Sequence, residues 1–117
     1  MLSTAPHESL DETIATLADG DAMQALAAVL ARLLRVAETP LLELLGNGSD
    51  DPSCVICRAA GLRIDAYSAV LRMRRRARLG FDQNPAGSLR AFRRLPFDSA
   101  KPLLGRLLAT VKFSVGV

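Results

Sequence analysis

Apolar residues in this chain recur every three or four positions, and glycine or proline interrupts each such segment within about sixteen residues. That pairing of period and punctuation admits short helices packed on one another and little else. Leucine and alanine carry most of the apolar content, and both are strong helix formers. The β-branched residues are too scattered to alternate, which argues against a sheet. Half of the 117 residues are hydrophobic, yet the aromatics are confined to Tyr67 and four phenylalanines. A chain of this length forms one domain by the usual relation and buries about two-thirds of its unfolded surface. The expected fold is all-α, with six or seven short helices in an orthogonal bundle or in HEAT-like stacked hairpins. It forms a single helical domain over 1–117, with tails at 1–7 and 113–117.

The boundaries follow from local chemistry. A first helix starts near Ser9 or Asp11, runs to about Ala18 and carries Leu10, Ile14 and Leu17. Gly20 stops it, and Asp21 is placed to cap a helix over 22–37. That helix has an apolar stripe of Leu26, Val29, Leu30, Leu33 and Leu34, with Arg32 and Arg35 on the solvent side. Thr39-Pro40 and Asp51-Pro52 each set a capping side chain before a proline at the first helical position. They open helices over 41–45 and up to Ala60, separated by the loop 46–51. A helix from Ile64 or Asp65 runs through Tyr67, Val70, Leu71 and Met73 into Arg74-Arg75-Arg76. After the loop 80–84, Asn84-Pro85 opens a helix with Leu89, Phe92 and Leu95. Pro96 breaks it, Asp98 or Ser99 restarts, and a last helix covers 100–112.

Charge is segregated along the chain. Residues 1–51 sum to −7 and residues 52–117 to +10, which gives the net charge of +3. The halves attract each other, or each meets a different partner. No apolar stretch reaches the ~20 residues of a bilayer span, and the N-terminus lacks the basic and apolar regions of a signal peptide. Two cysteines without an export signal point to a reduced, cytoplasmic setting and to no membrane association.

Cys54 and Cys57 form a CxxC in the first turns of a helix, where the dipole would lower the Cys54 pKa. A thioredoxin-like site needs a βαβ setting, and a zinc site needs more ligands than these two and His7. The alternative is a pair of small buried residues on an apolar face. Asp50-Asp51 reads as a helix cap, with a cation site as the alternative.

Residues 53–76 have the outline of a helix-turn-helix, with a glycine turn at Gly61. Arg63, Arg72, Arg74, Arg75, Arg76 and Arg78 would neutralise phosphates. Against that, Asp65-Ala66-Tyr67-Ser68 lacks base-reading side chains, and arginines at a helix C-terminus also offset its dipole. Arg90, Arg93 and Arg94 form a second basic group, opposite Leu89, Phe92 and Leu95. They are read as a solvated face or as part of a basic groove for phosphates or an acidic partner. No nucleophile elbow, phosphate loop or histidine pair is present, so no enzyme activity, cofactor or metal is expected.

Cys57-Arg58-Ala59-Ala60-Gly61-Leu62, followed by a helix with Val70-Leu71 and a basic end, resembles a short motif of a bacterial family of unknown function. That family is all-helical with HEAT-like hairpin packing, and its chains are longer than this one. The resemblance spans about 39–76. It implies helical hairpins and brings no catalytic residues. Three functional classes follow. The first is a protein-interaction or scaffolding module, with a protein partner or self-association as a homodimer, because high apolar content with few aromatics leaves hydrophobic surface for a partner to cover. The second is a nucleic-acid-binding helix-turn-helix on Arg63 to Arg78, and the third is a redox or metal module at Cys54 and Cys57.

Overall fold

Glycine, proline and left-handed turns cut the chain into seven helices among the residues described. The structure, a computed structural model, describes the backbone of residues 6–80 and 84–115 and the side chains of 10–80 and 84–111. The helices are α1 (Pro6–Asp19), α2 (Met23–Leu34), α3 (Glu38–Leu45), α4 (Asp51–Ala59), α5 (Ile64–Arg76), α6 (Pro85–Arg94) and α7 (Phe97–Val115). No strand occurs among the described residues. The chain is therefore all-α, as its periodicity requires.

Four of the helices end alike. Asp21, Arg35, Gly61 and Arg78 each take a positive φ. The next residue's N–H then bonds a carbonyl five positions back, as in Ala22 to Leu17, Val36 to Ala31, Leu62 to Cys57 and Leu79 to Arg74. This closure satisfies carbonyls that the helix end would otherwise leave open. Only one of the four is glycine, so at the other three a side chain accepts the left-handed conformation.

The helix starts differ from expectation in detail. Asp21 does not cap α2; Ala22 holds that position without a side-chain bond. Glu38 rather than Leu41 opens the third helix, with Ala37 before it. Asn84 does cap α6, its side chain accepting from the Ala86 N–H at 2.9 Å. Helix α7 begins directly after Pro96, tolerates Pro102 inside it and continues to Val115, beyond the expected end at 112. Helix α1 likewise starts at Pro6, inside the stretch expected to be a tail; the rest of both tails, 1–5 and 116–117, lies outside the described residues.

The two most extensive interfaces join elements distant in sequence. Helix α1 packs most extensively on α5, and α4 on α7, while the neighbours α4 and α5 touch little. The helices form one all-α bundle in which these long-range pairings join the neighbour contacts of α2 with α3. At the centre lies α4, with Pro52, Ser53, Cys54, Val55, Ile56, Cys57 and Ala59 all buried. Helix α5 is nearly as enclosed, burying Ala66, Tyr67, Ala69, Val70, Leu71, Met73 and Arg74. The Cα radius of gyration is 13.5 Å, close to the ~13 Å of a compact domain of about this length.

Helix α2 is rotated relative to the stripe its leucines define. Its buried face is Leu26, Ala27, Leu30 and Ala31, and Leu33 is 47% exposed. Two alanines allow α2 to approach its neighbours closely, which turns Leu33 outward.

Candidate functional site

The arginines of 63–78 do not form one surface. Arg74 is fully buried, which corrects the expectation that it belongs to a binding face. Its Nε donates to Asp50 Oδ1 at 3.0 Å, Nη1 to the Leu45 carbonyl at 2.6 Å and Nη2 to the Ser49 carbonyl at 2.8 Å. Arg75 grips the same carboxylate through both terminal nitrogens, at 3.1 and 2.8 Å. Ser88 Oγ donates to Asp50 Oδ2 at 2.7 Å. One carboxylate thus fastens the α3–α4 loop, the end of α5 and the start of α6. Burial alone would raise the Asp50 pKa, but the hydrogen bonds from Arg75, Ser88 and Arg74 outweigh it and hold the carboxyl below its ordinary range. Gly80 closes over the cluster at φ +70°, where a Cβ would collide with Arg75 Nη1 and Asp50 Oδ1. Asp50 is therefore an internal counter-ion, where the sequence suggested a cap or a cation ligand.

Three more members of that run, Arg63, Arg72 and Arg76, meet acids from the acidic half of the chain. Arg76 Nε meets Asp21 Oδ1 at 2.7 Å, Arg72 Nη2 meets Asp19 Oδ1 at 3.5 Å, and Arg63 Nε lies 3.9 Å from Asp11 Oδ2. Arg76 also donates to the Ala18 carbonyl. Part of the charge segregation read from the sequence is therefore met within the chain, where α5 faces α1 and the turn after it. Arg78, Arg90, Arg93 and Arg94 are exposed and carry no ion pair among the described residues.

Periodicity contained the signal for Arg74. Tyr67, Val70, Leu71 and Arg74 stand at i, i+3, i+4 and i+7, which places the arginine on the buried stripe of α5. A charge on such a stripe needs a buried acid, and the loop acid Asp50 supplies it.

The two cysteines are 5% and 0% exposed, and neither is in a disulfide. Burial pushes the Cys54 thiol up to about 11, and raises Cys57 as well. Desolvation thus overrides the helix-dipole effect expected at Cys54. Tyr67 stacks on Phe92, with ring centroids 4.6 Å apart and planes 14° from parallel. Arg58 lies over the other aromatic, 5.4 Å from the Phe92 centroid, and donates to the Leu95 carbonyl. The Tyr67 hydroxyl sits beside Cys54, close enough to influence its titration, yet neither it nor Ser53 Oγ has hydrogen-bond geometry to any described partner. No three His, Cys, Asp or Glu side chains converge among the described residues.

An open groove of about 440 Å³ lies between the end of α2, the end of α4 and α7. Leu33, Leu34, Val36, Ala59, Leu104 and Leu108 make its walls, with Phe97 at its mouth and Arg35 and Lys101 as its charged members. The two large hydrophobic side chains most exposed on the described surface, Leu33 at 47% and Phe97 at 46%, both line it. Lys101 Nζ sits 5.8 Å from the Phe97 ring centroid. The sequence assigned none of these residues to a site. Leu33 belongs to the apolar stripe read for the second helix, and Phe97 falls between two expected helices. No described helix is long and apolar enough to cross a membrane. No protein-family model, curated protein or solved structure matches the chain.

Proposed function

We propose that this chain is a non-enzymatic protein-interaction module that docks a protein partner through the groove between α2, α4 and α7. One observation carries the reading: Leu33 and Phe97 stand half in water on the same groove. Scattered exposed apolar residues are ordinary on a protein surface, whereas apolar side chains gathered around a concavity mark a contact. A groove of about 440 Å³ falls within the size range of binding sites. The buried, protonated thiols fit a reducing, cytoplasmic setting and a structural role for Cys54 and Cys57.

The test compares the wild-type chain with Leu33→Ser/Phe97→Ser in extracts of the native host. Wild type is expected to elute above its monomer mass, and the double variant at monomer mass with its melting temperature nearly unchanged. Co-elution of the variant with wild type would remove the groove from the contact.

A second reading rests on α6. Arg90, Arg93 and Arg94 are exposed and unpaired among the described residues, so a nucleic-acid backbone would find three phosphate-binding groups there. It is tested by anisotropy against a random DNA duplex, with Arg90→Ala/Arg93→Ala/Arg94→Ala as the variant. Arg74, Arg75 and Arg76 have no part in it.

A further inference from the structure

We infer that the occupant of the α2–α4–α7 groove is an amphipathic helix of another protein that carries acidic residues beside its apolar anchors. This rests on the protein-interaction reading and specifies the partner's chemistry. The charge of the lining is one-sided: Arg35 and Lys101 are its ionisable members, and no acid lines it. Neither cation has an ion-pair partner among the described residues, although the chain pairs Arg63, Arg72 and Arg76 with acids elsewhere. Arg35 sits at the left-handed position that closes α2, at the rim of the groove. Lys101 is held over the Phe97 ring. Both charges therefore stand beside the apolar floor without an acid near them in the lining, which favours a partner with carboxylates flanking its hydrophobic side chains.

The same one-sidedness argues against a second copy of this chain. A two-fold dimer through the groove would bring each patch against itself. The cations of one copy, Arg35 and Lys101, would then be brought towards those of the other, a like-charge approach that penalises the pairing. The shape suits a helix, because the groove has a long helix, α7, as one wall and apolar side chains spaced along it at Phe97, Leu104 and Leu108. Helices docked in such grooves present anchors at i, i+3, i+4 and i+7.

The experiment uses the full chain and two synthetic helical peptides with identical leucine anchors, one with glutamates beside them and one with lysines. Binding is followed by fluorescence anisotropy at physiological salt. The glutamate peptide is expected to bind at least about tenfold more tightly. Arg35→Glu/Lys101→Glu is expected to reverse that order, a result that loss of folding cannot produce. Phe97→Ala is expected to weaken the glutamate peptide about tenfold or more. Equal binding of the two peptides, or a preference for lysine in the wild-type chain, overturns the acidic partner and leaves a groove that binds helices. Absence of binding by either peptide, together with unchanged elution of Leu33→Ser/Phe97→Ser in extracts, overturns the inference and the interaction reading together. A salt-resistant dimer of the purified chain, broken by Phe97→Ala, overturns the inference in favour of a second copy.

Discussion

Replacing Arg74 with methionine separates a structural arginine cluster from a binding one. The guanidinium is fully buried and its three nitrogens reach Asp50, Leu45 and Ser49. Methionine fills similar space but leaves the Leu45 carbonyl without that donor and the Asp50 carboxylate short of a charge. Breaking one partner of a buried ion pair costs about 3–5 kcal/mol. Arg75 still holds the same carboxylate through two bonds, so the lower half of that range, about 3 kcal/mol, is the expectation. Domains of this size have about 5–15 kcal/mol in total, and each kcal/mol moves the midpoint by about 4 °C. The predicted effect is therefore a fall of about 12 °C in melting temperature. Thermal and urea unfolding followed by far-UV circular dichroism measure it, with Arg93→Met as the exposed control expected to change stability by under about 0.5 kcal/mol. In a cycle with Asp50→Asn the two losses should fall well short of adding, because they remove one interaction. A loss below about 1 kcal/mol for Arg74→Met, or additive losses in the cycle, would refute the internal-cluster account.

Asp50 also sets an acid limit. Its folded pKa lies below the ordinary aspartate value of 3.8, so its contribution is complete above that value and is lost as pH falls through the folded pKa. Asp50→Asn should lower stability at neutral pH and flatten the decline below about pH 4, and an unchanged acid limb in urea midpoints against pH would contradict this. Tyr67→Phe removes a buried hydroxyl without a hydrogen-bond partner and should be neutral or stabilise by up to about 1 kcal/mol; a loss above that amount by urea unfolding would show a bonded hydroxyl. Cys54, pushed up to about 11, should react with a disulfide reagent at pH 7 roughly a hundredfold more slowly than in the denatured chain, and equal rates would mean an accessible thiolate. Arg78→Gly relieves a left-handed residue at φ 63° and should stabilise by about 1 kcal/mol, with no gain in melting temperature counting against strain there.

Helix number and class were legible because proline and glycine act locally. Asn84-Pro85 opens α6 with a side-chain cap and a fixed φ, and Gly61 closes α4 with a left-handed backbone. Facing was less legible, because a leucine stripe looks more apolar than an alanine one. Ala27 and Ala31 are buried while Leu33 is not, since close approach of helices favours the small side chains. The run Arg74-Arg75-Arg76 reads as one patch, yet Arg74 and Arg75 share the buried Asp50 while Arg76 turns to the exposed Asp21. Helical rotation by about 100° per residue separates neighbours in a run that looks uniform on paper. The groove was the least legible feature. It unites residues from 33 to 108 through the α3–α7 and α4–α7 contacts, and no local pattern encodes those pairings.

The most direct test of the docking groove places a photoactivatable benzophenone side chain at Phe97 in one version of the chain and at Arg90 in another. Both are expressed in the native host, irradiated, and analysed by mass spectrometry of the cross-linked peptides. The account predicts a protein adduct at position 97, mapped to an acidic helical segment, and none at position 90. An adduct confined to position 90, to protein or to nucleic acid, would contradict it and move the working surface of this chain to α6.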